Sequence, residues 1–298
     1  MNKRFSLTGV KMLALGAAVA GAFVSNAQAA DCPSGAICRY DEQPGAYTGN
    51  GPYRVSNYNI SSFQAAGGAT VYYPSNATPP FAALVFCPPY TGVQYMYEDW
   101  GPFFASHGIV MVTMDSETTM DTVDQRADQQ REVLDFLKRE NTNSRSPLYG
   151  KLATDRFGVT GWSMGGGATW INSADYAGLK TAMSLAGHNL TALDPDSRGY
   201  STRIPTLIMN GALDTTYLGG LGQSDGVYDA IPYGVPKVFY EVSSVGHFAW
   251  GSPTSASDDV AKISLAFQKT FLEGDTRWAD YIQRPFWGTS GWETANLP

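Results

Sequence analysis

The sequence is poor in the residues that build metal centres. Its 298 residues contain three histidines and three cysteines, Cys32, Cys38 and Cys87. No C-x-x-C pair occurs, which argues against a zinc or iron–sulfur site. No acidic D-x-D-x-D-G run supports a calcium loop. Neither metal nor organic cofactor is expected. Positive charge is also scarce: 20 Lys and Arg stand against 27 Asp and Glu, a net charge of −7. That balance argues against nucleic acid as a partner. Long apolar runs are missing too. The longest, Met12–Val24, has about 13 residues, short of the roughly 20 that a spanning helix needs. No membrane anchor is therefore expected. Internal repeats and low-complexity segments are absent.

What precedes and follows that apolar run explains it. Lys3, Arg4 and Lys11 come before it without a single acid, and the small residues of Ala27-Gln-Ala29 come after it. Charge, apolar core and small residues in that order read as a secretory signal over residues 1–29. The mature chain, 30–298, is then a single domain, exported to the cell exterior or the periplasm. Its charge falls from −7 to near −10 once the three leader cations are removed. Export permits disulfides. A small loop staple between Cys32 and Cys38 is expected, with Cys87 left free inside the protein at a strand end. A monomer is expected.

Beyond an irregular lead-in rich in Gly, Pro, Tyr and Asn (residues 31–60), strand and helix signals alternate. Strands are predicted over Ala69–Tyr73, Phe81–Phe86, Ile109–Met114, Phe157–Thr160, Ile204–Met209 and Lys237–Val242, with a further strand-like run at Thr181–Ala186. Continuous apolar runs such as Phe81-Ala-Ala-Leu-Val-Phe86 mark strands buried on both faces. Helices are predicted over Glu98–Ser106, Asp121–Glu140, Gly165–Asn172 and Val260–Leu272. This alternation implies an α/β fold, a mostly parallel sheet with helices on both faces.

Gly161-Trp-Ser-Met-Gly-Gly-Gly167 carries G-x-S-x-G between a strand and a helix. Ser163 would sit on a sharp strand-to-helix turn with its hydroxyl turned outward. A serine hydroxyl needs a base, and in such enzymes the chain order is serine, acid, histidine. His107 precedes the serine and reads as an ordinary helix C-cap. His188 comes too early to leave room for the acid. His247 follows the last predicted strand and is the candidate base. Asp214 follows the strand Ile204–Met209 and the turn Asn210-Gly211, which makes it the candidate acid; Asp225 and Asp229 are runners-up. The oxyanion of the tetrahedral intermediate needs two backbone donors. Met164, next after the nucleophile, is one. Tyr90 is the other, because Pro88 and Pro89 have no N–H to offer.

These residues resemble the bacterial polyester hydrolases: cutinases, poly(ethylene terephthalate) hydrolases and related secreted lipases. The matching stretches are Pro89-Tyr-Thr-Gly-Val-Gln94, Ala105-Ser-His-Gly108, Asp121–Gln130, Pro147-Leu-Tyr-Gly150, Gly161–Gly167, Pro205–Ile208 through Asp214, and His247-Phe-Ala249. The resemblance implies a lidless α/β-hydrolase fold with a shallow cleft. It also implies Ser163, Asp214 and His247 as catalytic triad and Tyr90 and Met164 as oxyanion donors, with Tyr90 also beside the substrate. His188 falls where the family carries a substrate-facing tryptophan and inherits that substrate-binding position. Pro89 and Gly246 stand where the family usually has Gly and Ser. No cysteine follows Cys87, so the family's C-terminal disulfide is missing, and the tail from Trp278, with Trp287 and Trp292, departs from the pattern. The implied activity is cleavage of polyester or cutin-like esters through an acyl-serine. The alternative is a general carboxylesterase or triacylglycerol lipase acting on small or lipid esters. A binding protein with a decayed site is disfavoured by the intact triad order, and a dienelactone-hydrolase-like enzyme by serine in place of cysteine at position 163.

Overall fold

The computed structural model describes residues 32–44, 47, 49–188, 201–216 and 221–298. The expected signal segment, residues 1–29, lies outside the described residues.

Hydrophobic pattern becomes layer structure most directly in the strand Phe81–Cys87 (β3). All seven of its residues are buried. Ala82, Leu84 and Phe86 enter one core, while Phe81, Ala83, Val85 and Cys87 enter another on the opposite face. A strand can alternate in this way and still be apolar throughout only if both faces are covered. Val110–Met114 (β4) is likewise fully buried. The first core lies against the helices Trp100–Ser106 (α1) and Asp258–Phe267 (α5). The second lies against Val123–Thr142 (α2) and Met164–Asp175 (α3). The helix α2 starts at a capping box made by Thr122 and Gln125, which satisfies two otherwise unpaired backbone donors.

Among the described residues, nine strands form one sheet. The others are Val55–Ile60 (β1), Ala69–Pro74 (β2), Leu152–Trp162 (β5), Leu179–Leu185 (β6), Thr206–Gly211 (β7), Lys237–Val242 (β8) and Thr289–Ala295 (β9). The order is β1-β2-β4-β3-β5-β6-β7-β8-β9. Pairing is parallel from β4 to β8 and antiparallel at both edges. In register, Val85 faces Val112 on one side and Val159 on the other. The expected α/β class, with helices on both faces of a mostly parallel sheet, is the fold observed.

Two strands were not legible. The strand β1 lies inside what reads as an irregular lead-in; it is an edge strand with only Ile60 buried. The strand β9, of sequence T-S-G-W-E-T-A, has no apolar alternation and exists through its pairing with β8. In the tail, Trp278 is buried, Trp292 packs partly buried against the core, and Trp287 is exposed. The predicted helix Val260–Leu272 divides into α5 and a π-helical turn, Gln268–Glu273.

Cys32 and Cys38 form a disulfide, and Cys87 is a buried free thiol. The stapled segment is joined to the C-terminal part by buried charges. Arg39 Nε lies 3.3 Å from Glu273 Oε1, and Lys269 Nζ lies 2.8 Å from Glu273 Oε2. Lys269 also pairs with Glu42, which pairs in turn with His107 Nδ1. His107 caps α1 as expected, and its Nε2 lies 2.7 Å from the Gly49 carbonyl. Gly108 has φ +87°, and a Cβ there would lie 2.0 Å from Arg39 Nε. Burial alone would raise the Glu42 pKa, but Lys269 and His107 outweigh it and hold the carboxyl below its usual value of 4.5. The stabilisation from ionised Glu42 is thus present above pH 4.5 and is lost as pH falls through and below that value. Lys269→Met should take one cationic partner from each of the buried carboxylates Glu42 and Glu273 and cost about 3–5 kcal/mol. Urea unfolding at pH 7 measures that loss. Repeated toward pH 3.5, it should show a shallower acid slope for the variant than for the parent.

Candidate active site

The site lies at the carboxyl ends of the parallel strands, where this architecture gathers its loops. Ser163 ends β5 and opens α3 with φ 59° and ψ −120°, a conformation that non-glycine residues hold only when the surroundings enforce it. Those surroundings are visible. The Ser163 N–H donates to the Leu185 carbonyl at 3.0 Å, and the Ser163 carbonyl accepts from Gly167 N–H at 3.0 Å. A Cβ on Gly161 would lie 2.3 Å from the Gly165 carbonyl, and one on Gly165 would lie 2.1 Å from the Cys87 carbonyl. Both motif glycines are therefore required by contact.

Asp214 leaves β7 through a tight turn in which its N–H donates to the Gly211 carbonyl at 2.9 Å. Leu213 N–H donates to the Val245 carbonyl at 2.8 Å, which joins this turn to the loop after β8. His247 sits on that loop. Its Nδ1 lies 2.8 Å from Asp214 Oδ2 and its Nε2 lies 2.9 Å from Ser163 Oγ. All three side chains are buried. The residues chosen from sequence thus meet in one hydrogen-bonded chain. The runners-up do not join it. Asp225 and Asp229 lie on the helix Leu221–Ala230 (α4). The Asp225 carboxyl is raised above its usual value by burial and by Glu241, Glu293 and Asp229, so it faces the acidic flank of β8 and β9.

Tyr90 and Met164 flank Ser163 on two different segments, the loop after β3 and the first residue of α3. Neither backbone N–H has a protein acceptor among the described residues. Both are free to receive an oxyanion.

A family model described as PET hydrolase-like matches residues 45–288. The chain belongs to the PET hydrolase-like family. It is 32% identical over 292 residues to a bis(hydroxyethyl) terephthalate hydrolase of Streptomyces coelicolor, covering 93% of this chain and 88% of that protein. It is 34% identical to cutinase 2 of Thermobifida cellulosilytica, covering 78% and 85% of the two chains. To the cutinase est1 of Thermobifida alba it is 33% identical, covering 78% and 75%. This PET hydrolase-like protein is accordingly a carboxylic ester hydrolase.

Two contributors to the site of this PET hydrolase-like enzyme were missed in the sequence. The indole Nε1–H of Trp162 donates to the His247 carbonyl at 2.8 Å and so pins the backbone of the candidate base. Arg126 is fully buried in α2. Its guanidinium donates to the Pro88 carbonyl at 3.3 Å and to the Thr119 carbonyl at 2.9 Å, and Thr119 in turn accepts from Thr91 N–H. It thereby holds the loop that carries Tyr90. Position in a motif was the only sequence signal for Trp162. For Arg126 the signal was its place in the matching stretch Asp121–Gln130, which does not say what a lone arginine there contacts.

His188 lies closer to the chemistry than a substrate-facing position requires. It is buried, and its Nε2 is 2.9 Å from Ser163 Oγ. Around Ser163 opens an apolar cleft of about 270 Å³, lined by Pro89, Tyr90, Met96, Trp162, His188 and Phe248. Its rim is accessible, with Phe248 81% and Tyr90 41% exposed. A larger cavity of about 610 Å³ is lined by Arg39, Pro80, Ala153 and Arg156. It lies at the amino ends of β3 and β5, away from every candidate catalytic group. No helix among the described residues is long and apolar enough to cross a membrane.

Asp214→Asn should leave the fold intact and lower kcat on a soluble ester by about 10³–10⁴-fold, since the amide would hold the wrong tautomer of His247. Asp225→Asn should leave kcat unchanged. Steady-state hydrolysis of p-nitrophenyl butyrate by both variants checks the choice of acid.

Proposed function

We propose that this enzyme hydrolyses polyester or cutin-like ester bonds outside the cell, through an acyl intermediate on Ser163. The single observation that carries the reading is the Asp214–His247–Ser163 hydrogen-bonded chain opening into an apolar cleft with an exposed aromatic rim. Relatives named as cutinases and as a terephthalate-ester hydrolase support the substrate class. The leader at residues 1–29 and the Cys32–Cys38 disulfide support export, because disulfides persist in oxidising compartments.

The chemistry follows the geometry. Ser163 Oγ attacks the ester carbonyl carbon while its proton passes to His247 Nε2. Asp214 holds the Nδ1–H and stabilises the resulting imidazolium. The carbonyl oxygen, now negative, takes hydrogen bonds from the backbone N–H groups of Tyr90 and Met164. His247 returns the proton to the departing alkoxide, and the alcohol leaves. Water then attacks the acyl carbon, giving its proton to His247 and its oxygen to the acid product. Protonation of Oγ restores the enzyme. An exposed aromatic rim of this kind suits the contact of a polymer chain with the cleft.

Release of soluble acids from a poly(ethylene terephthalate) film and from tributyrin, measured for the mature protein and for Ser163→Ala, tests the reading. Both activities are expected in the parent, and the variant should lose each by about 10³-fold or more. Tributyrin cleavage without film hydrolysis would move the enzyme to the small-ester or lipase class.

A further inference from the structure

We propose that His188 is a second catalytic imidazole at Ser163, a neutral one that donates its Nε2–H to Oγ and thereby commits the hydroxyl proton to His247. The proposal rests on Ser163 as nucleophile. It starts from a count of protons. Two imidazole nitrogens, His247 Nε2 and His188 Nε2, each lie 2.9 Å from the same oxygen. A serine hydroxyl has one proton to give and two lone pairs. His247 Nδ1, 2.8 Å from a carboxylate oxygen, carries a proton, so in the neutral ring Nε2 is bare and receives the serine proton. Oγ then has only lone pairs left, and a contact of 2.9 Å with His188 requires His188 to be the donor.

The surroundings of His188 agree. Its Nδ1 is buried without a hydrogen-bond partner among the described residues. With Nε2 protonated, that atom is a bare acceptor. In the opposite tautomer it would be a buried N–H with no acceptor, the rarer and costlier arrangement. Burial, and next the proximity of His247, bring the His188 pKa down to about 4 against the opposing pull of Asp214, so the ring is neutral near pH 7.

The backbone that carries the ring is also held in place by construction. The His188 N–H donates to the Ser163 carbonyl at 3.1 Å. A Cβ on Gly167 would lie 2.3 Å from the His188 carbonyl oxygen, and one on Gly166 would lie 2.6 Å from the Gly187 Cα. The third and fourth glycines of G-W-S-M-G-G-G thus seat the His188 loop directly on the start of α3.

His188 transfers no proton in the reaction. As Oγ attacks, one lone pair forms the new C–O bond while the other keeps the His188 hydrogen bond, which strengthens as the hydroxyl proton moves to His247. In the second half-reaction Oγ is the leaving oxygen, and the same N–H stabilises its growing charge.

Ring-nitrogen NMR of the ¹⁵N-labelled mature protein at neutral pH reads the tautomer directly. His188 protonated at Nε2 alone is expected; protonation at Nδ1, or at both nitrogens, would overturn the proposal. Kinetics on p-nitrophenyl butyrate provide the second arm. His188→Phe keeps a ring and removes the donor, and should lower kcat about threefold to tenfold with little change in KM, the scale of one hydrogen bond. His188→Gln, which restores an N–H, should recover part of that loss. A His188→Phe enzyme with parental kcat would reduce the residue to a cleft wall. If that variant does not fold, the tautomer in the parent still decides. Full activity in Ser163→Ala would instead remove the nucleophile assignment itself, an outcome distinct from failure of the His188 role alone.

Discussion

The carbonyl of Cys87 occupies the space where a β-carbon on Gly165 would be, 2.1 Å away. That close approach of the last residue of β3 to the first turn of α3 sets the geometry around it. It lets the chain turn at Ser163 within one residue, at a positive φ. It also brings the loop after β3, with Tyr90, beside the amino end of α3, with Met164. The proposed nucleophile and oxyanion donors therefore share one junction. The candidate base His247 and the candidate acid Asp214 arrive from the loops after β8 and β7, which are tied together by the Leu213–Val245 hydrogen bond.

Glycine at four positions of one seven-residue motif has separable physical causes. Gly161 and Gly165 make room for the elbow and for β3, while Gly166 and Gly167 make room for the Gly187-His188 segment after β6. The same helix start thus meets two neighbouring strand ends, one on each side of β5. Such a junction tolerates no added methyl group, because the nearest atoms in the way are backbone atoms of neighbouring segments.

Far from the site, buried charges join the N-terminal and C-terminal parts of the chain. Arg39, Glu42, His107, Lys269 and Glu273 knit the stapled N-terminal segment to α1 and to the C-terminal π turn. An ionic cluster of this kind responds to pH in a way that a covalent bond does not, and it is vulnerable to the loss of any one member.

From the residues alone came the sheet's parallel centre, written in continuous apolar runs. The serine elbow, its glycines and the serine–acid–histidine order were also legible, because each depends on local chemistry at short range. The edge strands β1 and β9 were not, since polar edge segments become strands through their partner's hydrogen bonds and carry little pattern of their own. Trp162 as a support for His247, and Arg126 as a support for the Tyr90 loop, depend on contacts that sequence spacing does not encode. His188 shows the division most clearly. Its sequence position excluded it as the triad base. Only the packing of β6 against α3 decided that its ring meets Ser163, because that distance is set by backbone contacts between elements rather than by the order of residues along the chain.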